Sequence, residues 1–150
     1  DVVAQRPWRY LLGVETRDAY LDRALGIHWD AITVVNELPA DARVLFLWEP
    51  RSYHAEPYVD PDAILDRWHH LYQTEGSADA IAHALYHESH ISHILLYDYG
   101  MQLVRDELVK GSKPTPAAWA AWDDFADRWL LPLEEVPGYV LYTWRDIPAP

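Results

Sequence analysis

The chain has 150 residues, no cysteine, one methionine (Met101) and only 6 glycines. Without cysteine it can form no disulfide, no thiolate metal centre and no cysteine nucleophile. The few glycines form neither G-x-G-x-x-G nor G-x-x-x-x-G-K-[ST], so no glycine-rich phosphate cradle is encoded. No G-x-S-x-G is present, and Ser52 and His54, two residues apart, do not make a nucleophile–base pair. No stretch reaches the roughly 18 apolar residues that a bilayer-spanning helix needs. The strongest apolar runs, residues 44–48 and 91–97, have the length of strands. A secretory leader pattern is missing. Residue 1 is Asp, so the segment reads as a mature form or as a domain of a longer protein.

Basic residues are also scarce. Lys and Arg total 12 against 24 Asp and Glu, for a net charge of −12. The excess is even along the chain, 13 acidic against 7 basic residues in the first half and 11 against 5 in the second. Such a surface repels nucleic-acid phosphates and anionic lipid headgroups, and no Lys/Arg stripe offsets it. Nucleic acid is therefore not an expected partner. Half of the residues are hydrophobic, with 8 Trp and 10 Tyr, enough for one folded domain with a real core.

Residues 1–15 read as a lead-in, with Arg6, Pro7, Trp8, Arg9 and Tyr10 close together, and residues 16–150 as one α/β domain. Cations beside aromatics suit the edge of a membrane span, and they also suit an ordinary tethered terminus. Thr16 caps a predicted helix over 17–25 that Gly26 ends. A second helix is predicted over 28–37, with Trp29, Ile32 and Val35 at helical spacing. Residues 43–48 suit a strand buried on both faces, and 49–59 a polar loop. Asp60-Pro61-Asp62 predicts a helix start, with Ile64, Leu65, Trp68, Leu71 and Tyr72 on the apolar face. Helices are further predicted over 78–89, 100–110 and 116–131, and a second buried strand over 91–97. Residues 133–136 and 139–145 form a predicted hairpin around Pro137-Gly138, which suits a type II turn. The expected architecture is a small mixed sheet of about four strands, a parallel pair plus the C-terminal hairpin, covered by about six helices.

Two groups of residues could carry chemistry. His83, His87 and His90 fall at i, i+4 and i+7, and an i, i+4 histidine pair can reach one metal ion. On a helical wheel, however, they point away from Ile81, Ala82 and Leu85, which makes a solvated polar face the more ordinary reading. The second group leaves the carboxyl ends of the two parallel strands, where open α/β sheets bind ligands. There Arg51 suits a phosphate or carboxylate, Glu49 and His54 suit acid and base roles, Tyr53 suits stacking on a sugar, and Asp98 follows the second strand. The alternative is that Glu49 and Arg51 pair with each other or cap helices. His93, inside the second strand, reads as a sheet histidine with a hydrogen-bond partner. Asp123, Asp124 and Asp127 read as a charged outer helix face.

Four stretches carry a resemblance to a known family. They are Tyr10-Leu-Leu-Gly13 before Arg17-Asp-Ala-Tyr-Leu21; Leu38-Pro39 leading to Val44-Leu45-Phe46 and Glu49-Pro-Arg-Ser-Tyr53; Ile91-Ser-His-Ile-Leu-Leu96; and Tyr139-Val-Leu-Tyr142. Together they resemble the soluble C-terminal domains of bacterial multi-pass GT-C-class glycosyltransferases related to dolichyl-phosphate-mannose–protein mannosyltransferases. The resemblance implies an accessory domain on the extracytoplasmic side of the cell membrane. It implies as partners the transmembrane part of its own chain, an acceptor substrate and a lipid-linked sugar donor. The family's catalytic carboxylates have no counterpart here, so no catalytic residue and no cofactor is expected. The histidine cluster over 83–93 departs from the family pattern.

Overall fold

The computed structural model describes residues 8–106 and 114–148. The predicted lead-in over 1–15 and the end of the predicted helix over 100–110 lie partly outside these residues. In chain order the elements are α1 (Trp8–Leu11), α2 (Arg17–Leu25), α3 (Ile27–Asn36), β1 (Arg43–Leu47), β2 (Tyr58–Asp60), α4 (Arg67–Glu75), α5 (Ala78–His83), β3 (His93–Tyr97), α6 (Asp98–Arg105), α7 (Pro116–Trp129), β4 (Leu130–Val136) and β5 (Tyr139–Trp144).

The fold is α/β, with one five-stranded mixed sheet in the order β2-β1-β3-β5-β4. β1 pairs in parallel with both β2 and β3, β3 pairs antiparallel with β5, and β4 and β5 form the hairpin. The predicted parallel pair and hairpin are thus joined edge to edge. Alternation along β1 feeds two cores. Leu45 and Leu47 join Trp68, Ile81, Trp122 and Phe125 from α4, α5 and α7 on one face. Val44 and Phe46 join Ala31, Ile32 and Val35 from α3 on the other. Both faces of β1 and β3 are covered, which is why each reads as an apolar run rather than an alternating strand.

Local signals explain most boundaries. Thr16 accepts from the Ala19 amide, and Gly26 closes α2 at φ 55°. Thr115 caps α7 in the same way, with Pro116 in the first turn. Gly138, at φ 78°, turns the hairpin.

Several expectations need correction. The loop over 49–59 contains the start of a fifth strand, β2. The helix expected from Asp60-Pro61-Asp62 begins only at Arg67, because Asp62 is buried and serves the loop instead of the first helical turn. Its Oδ2 accepts from the Trp48 amide at 2.9 Å, and its Oδ1 accepts from the Asp66 and Arg67 amides at 3.0 and 3.2 Å. One carboxylate therefore ties the end of β1 to the start of α4. Helix α5 widens over Ala84–Glu88, where i→i+5 bonds replace the α pattern, as in the Ser89 amide to the Ala84 carbonyl. The first hairpin strand starts at Leu130, not at residue 133, taking the last residues expected of the preceding helix.

Gly100 is fixed by close approach. A Cβ there would lie 2.5 Å from the Tyr97 ring and 2.8 Å from the Trp48 carbonyl oxygen. Gly100→Ala is expected to destabilise the fold by about 1–3 kcal/mol, as overpacking does. Urea denaturation would register this as a lower midpoint with an unchanged slope; an unchanged midpoint would contradict the packing described.

Candidate functional site

The order β2-β1-β3 reverses direction at β1, so the chain leaves β1 toward one neighbour and later returns to its other side. In open α/β sheets the crevice beyond the carboxyl ends at such a reversal is the usual ligand position. Here the carboxyl ends of β1 and β3 lead into residues 48–51 and 97–98. Trp48 turns the chain at φ 58°, a conformation that costs a bulky residue about 1–3 kcal/mol. Its ring stacks on Trp119 at 5.5 Å and meets Trp122 edge-on at 5.2 Å.

The next residue, Glu49, has no solvent exposure. An isolated buried carboxylate is strongly disfavoured, so its partners decide whether it stays charged. Oε1 accepts from the Arg51 amide and from Arg51 Nε, both at 2.8 Å, and Oε2 accepts from Arg51 Nη2 at 2.8 Å. The Tyr139 hydroxyl donates to Oε2 and itself accepts from Arg51 Nη2 at 2.9 Å. His28 Nδ1 stands 3.5 Å from Oε2 and 3.3 Å from the Tyr139 hydroxyl. Tyr97 stacks on Tyr139 with ring centroids 4.6 Å apart, closing the cluster from β3.

The electrostatic outcome follows from this geometry. Burial pushes the Glu49 carboxyl up, but hydrogen bonds from His28, Arg51 and Tyr139 outweigh it and bring the pKa down to about 2. The bond to Glu49 raises Arg51 above the ordinary guanidinium value. Burial, then the Glu49 carboxylate, raises Tyr139. Near neutral pH the cluster therefore holds a fixed carboxylate, a fixed guanidinium and a neutral phenol. A general acid or base must change protonation near the working pH, and Glu49 does not.

The candidate residues thus divide. Glu49 and Arg51 are brought together, as each other's partners. Tyr53 is 91% exposed and packs edge-on against His54. His54 lies toward α3, edge-on to Trp29 at 6.0 Å, and its carbonyl accepts from Asn36. Asp98 accepts from Gln102 at 2.5 Å, and its amide donates to the Gly138 carbonyl. His83 and His87 lie 4.9 Å apart, and His87 Nε2 is 2.8 Å from the Pro148 carbonyl oxygen. His90 follows the widened turn at φ 55° rather than continuing the helix. Among the described residues no group of three or more His, Asp or Glu side chains is placed to hold a metal ion. His93 is paired with Ser92 at 2.9 Å, and burial lowers its pKa.

Sequence reasoning missed His28 and Tyr139 as members of the cluster. His28 does carry a signal, because it occupies the same stripe as Ala31, Ile32 and Val35 on the buried face of α3. A histidine in an apolar stripe calls for a partner. Trp29, expected on that face, is only partly buried. Comparison with protein-family models, curated proteins and solved structures finds no match to this chain.

Glu49 has a depressed pKa in the folded state, so it contributes stability that is present above its ordinary value of 4.5 and is lost as pH falls toward 2. Glu49→Gln is expected to flatten the pH dependence of unfolding free energy across that window. Arg51→Ala leaves a buried charge short of its main donor and is expected to cost about 3 kcal/mol at neutral pH. Guanidinium denaturation from pH 2 to 7 tests both; a wild-type curve with no slope between pH 4.5 and 2 would contradict the assignment.

Proposed function

We propose that this chain is a non-catalytic accessory domain of a membrane-embedded glycosyltransferase-like protein that uses a lipid-linked sugar donor, standing on the extracytoplasmic side of the membrane. The observation that carries the non-catalytic part is the locked state of Glu49. This carboxylate, buried where an α/β sheet would place its chemistry, is saturated by donors from its own chain. Those donors leave it neither a free lone pair directed at a ligand nor a pKa suited to proton transfer.

The glycosyltransferase part is supported by the family resemblance. The stretches that carry it fall on α1, α2, β1 with the loop after it, β3 and β5, so it is a likeness of scaffold. Two of those stretches supply Glu49, Arg51 and Tyr139. In and beside the first stretch, Leu11, Leu12 and Val14 are 77%, 71% and 63% exposed, an apolar surface suited to contact with a membrane-embedded partner. Among the described residues no helix is long and apolar enough to cross a membrane. A sugar- or phosphate-binding role for Arg51 has weaker support, since its Nε and Nη2 are committed to Glu49 and Tyr139.

Two measurements test the proposal. Incubated with a polyprenyl-phosphate-linked sugar and an acceptor peptide, the purified chain is expected to transfer no sugar. In cells making the full-length protein, protease added outside intact spheroplasts is expected to remove this domain. Turnover by the isolated chain, or protection of the domain until the membrane is breached, would overturn the reading.

A further inference from the structure

The face of the sheet that carries α3 holds a second concave feature. Asn36, near the end of α3, donates through Nδ2 to the His54 carbonyl at 3.1 Å and accepts through Oδ1 from the Glu56 amide at 2.8 Å. This clamp holds the loop after β1 against α3. Between that loop, α2 and α3 lies a groove of about 380 Å³ whose lining includes Arg17, Asp18, Trp29, Glu37 and Glu56. A second groove of about 510 Å³ shares Asp18, Trp29 and Thr33 with it and runs toward Val136 and Pro137 past Asp22 and Asp30. Trp29 thus lines both grooves, with carboxylates on either side.

Three features of the lining point to one ligand chemistry. The first is an indole, whose face attracts cations. The second is a set of unneutralised acceptors. The Glu37 and Glu56 carboxylates form no ion pair or hydrogen bond among the described residues, and Asp18 has only a 3.9 Å contact with Arg17. The third is a cation already in place, because the Arg17 guanidinium carbon lies 5.9 Å from the centre of the Trp29 ring. That side chain is 59% exposed and lies along the groove wall.

We infer that the Trp29 groove is a docking surface for a basic segment of a protein partner. An arginine or lysine of that segment would stack on Trp29 in place of Arg17, and its neighbours would pair with Asp18, Glu37 and Glu56. Charge complementarity selects this occupant. Phosphorylated ligands and anionic membrane are repelled by the same carboxylates, and a neutral glycan would leave the charge unanswered. The inference does not depend on the glycosyltransferase reading.

The test is calorimetric titration with an acetylated seven-residue peptide of alternating glycine and arginine, beside the same peptide with glutamine for arginine. Saturable binding of the arginine peptide is expected, at least tenfold tighter than that of the glutamine peptide. The triple variant Asp18→Asn, Glu37→Gln, Glu56→Gln should weaken it at least tenfold. Asp123→Asn, Asp124→Asn, Asp127→Asn makes the same charge change on α7, across the sheet, and should weaken it less than threefold. Arg17→Ala, which removes the internal competitor, should strengthen binding. All these carboxylates lie on exposed residues, so the variants should fold, and circular dichroism confirms that they do. Three results would each overturn the inference: no saturation at millimolar peptide, equal loss in the two triple variants, or weaker binding in Arg17→Ala. Equal loss would mean that only the overall negative charge is being felt.

Discussion

A carboxylate with no access to water stands at the carboxyl end of β1, and the surrounding architecture is arranged to keep it charged. Glu49 draws one partner from its own loop, one from α3 and one from β5. α3 packs on the sheet through Ala31, Ile32 and Val35, and β5 is bonded to β3, so these donors arrive only when the fold is complete. Arg51 supplies three of the donors to this interior charge, more than any other single residue. The neighbouring Asp62 does a related job with backbone donors alone. Burial raises its pKa, and the amides of Trp48, Arg67 and Asp66 oppose that rise.

The same constraint shapes function. A crevice at the reversal of strand order is an economical place for chemistry, since two loops diverge there and leave space. In this chain Arg51, Tyr139 and Tyr97 gather around Glu49 there. On the α3 face, Trp29 and several carboxylates border open grooves. The interior charge of Glu49 is thus answered within the chain, while the exterior carboxylates of Glu37 and Glu56 form no ion pair among the described residues.

Much of this was legible in the sequence where the signal is local. Thr16 and Gly26 delimit α2, Thr115-Pro116 starts α7, and Pro137-Gly138 turns the hairpin; in each case one residue type satisfies a backbone requirement by itself. The apolar runs of β1 and β3 are legible because both faces are covered. β2 was not legible, since its three residues carry no alternation and it exists by pairing with β1. Asp60-Pro61-Asp62 misled because a capping residue and a buried loop anchor have the same composition, and only the tertiary contact with Trp48 separates them. The pairing of Glu49 with Arg51 was within reach as one of two readings of a short loop. Tyr139, 90 residues away, was not, because nothing local marks which face of a hairpin meets a given carboxylate.

Glu49 stays ionised from neutral pH down through its ordinary value of 4.5 and takes up a proton only near pH 2. The most direct measurement is a carbon-13 titration of the Glu49 side-chain carboxyl by NMR, followed until acid unfolding begins. The expected result is a carboxylate chemical shift that stays flat through pH 4.5 and moves only as pH approaches 2. A midpoint at 4.5 or above would mean that the donors around Glu49 do not hold its charge, and the account built on them would fail.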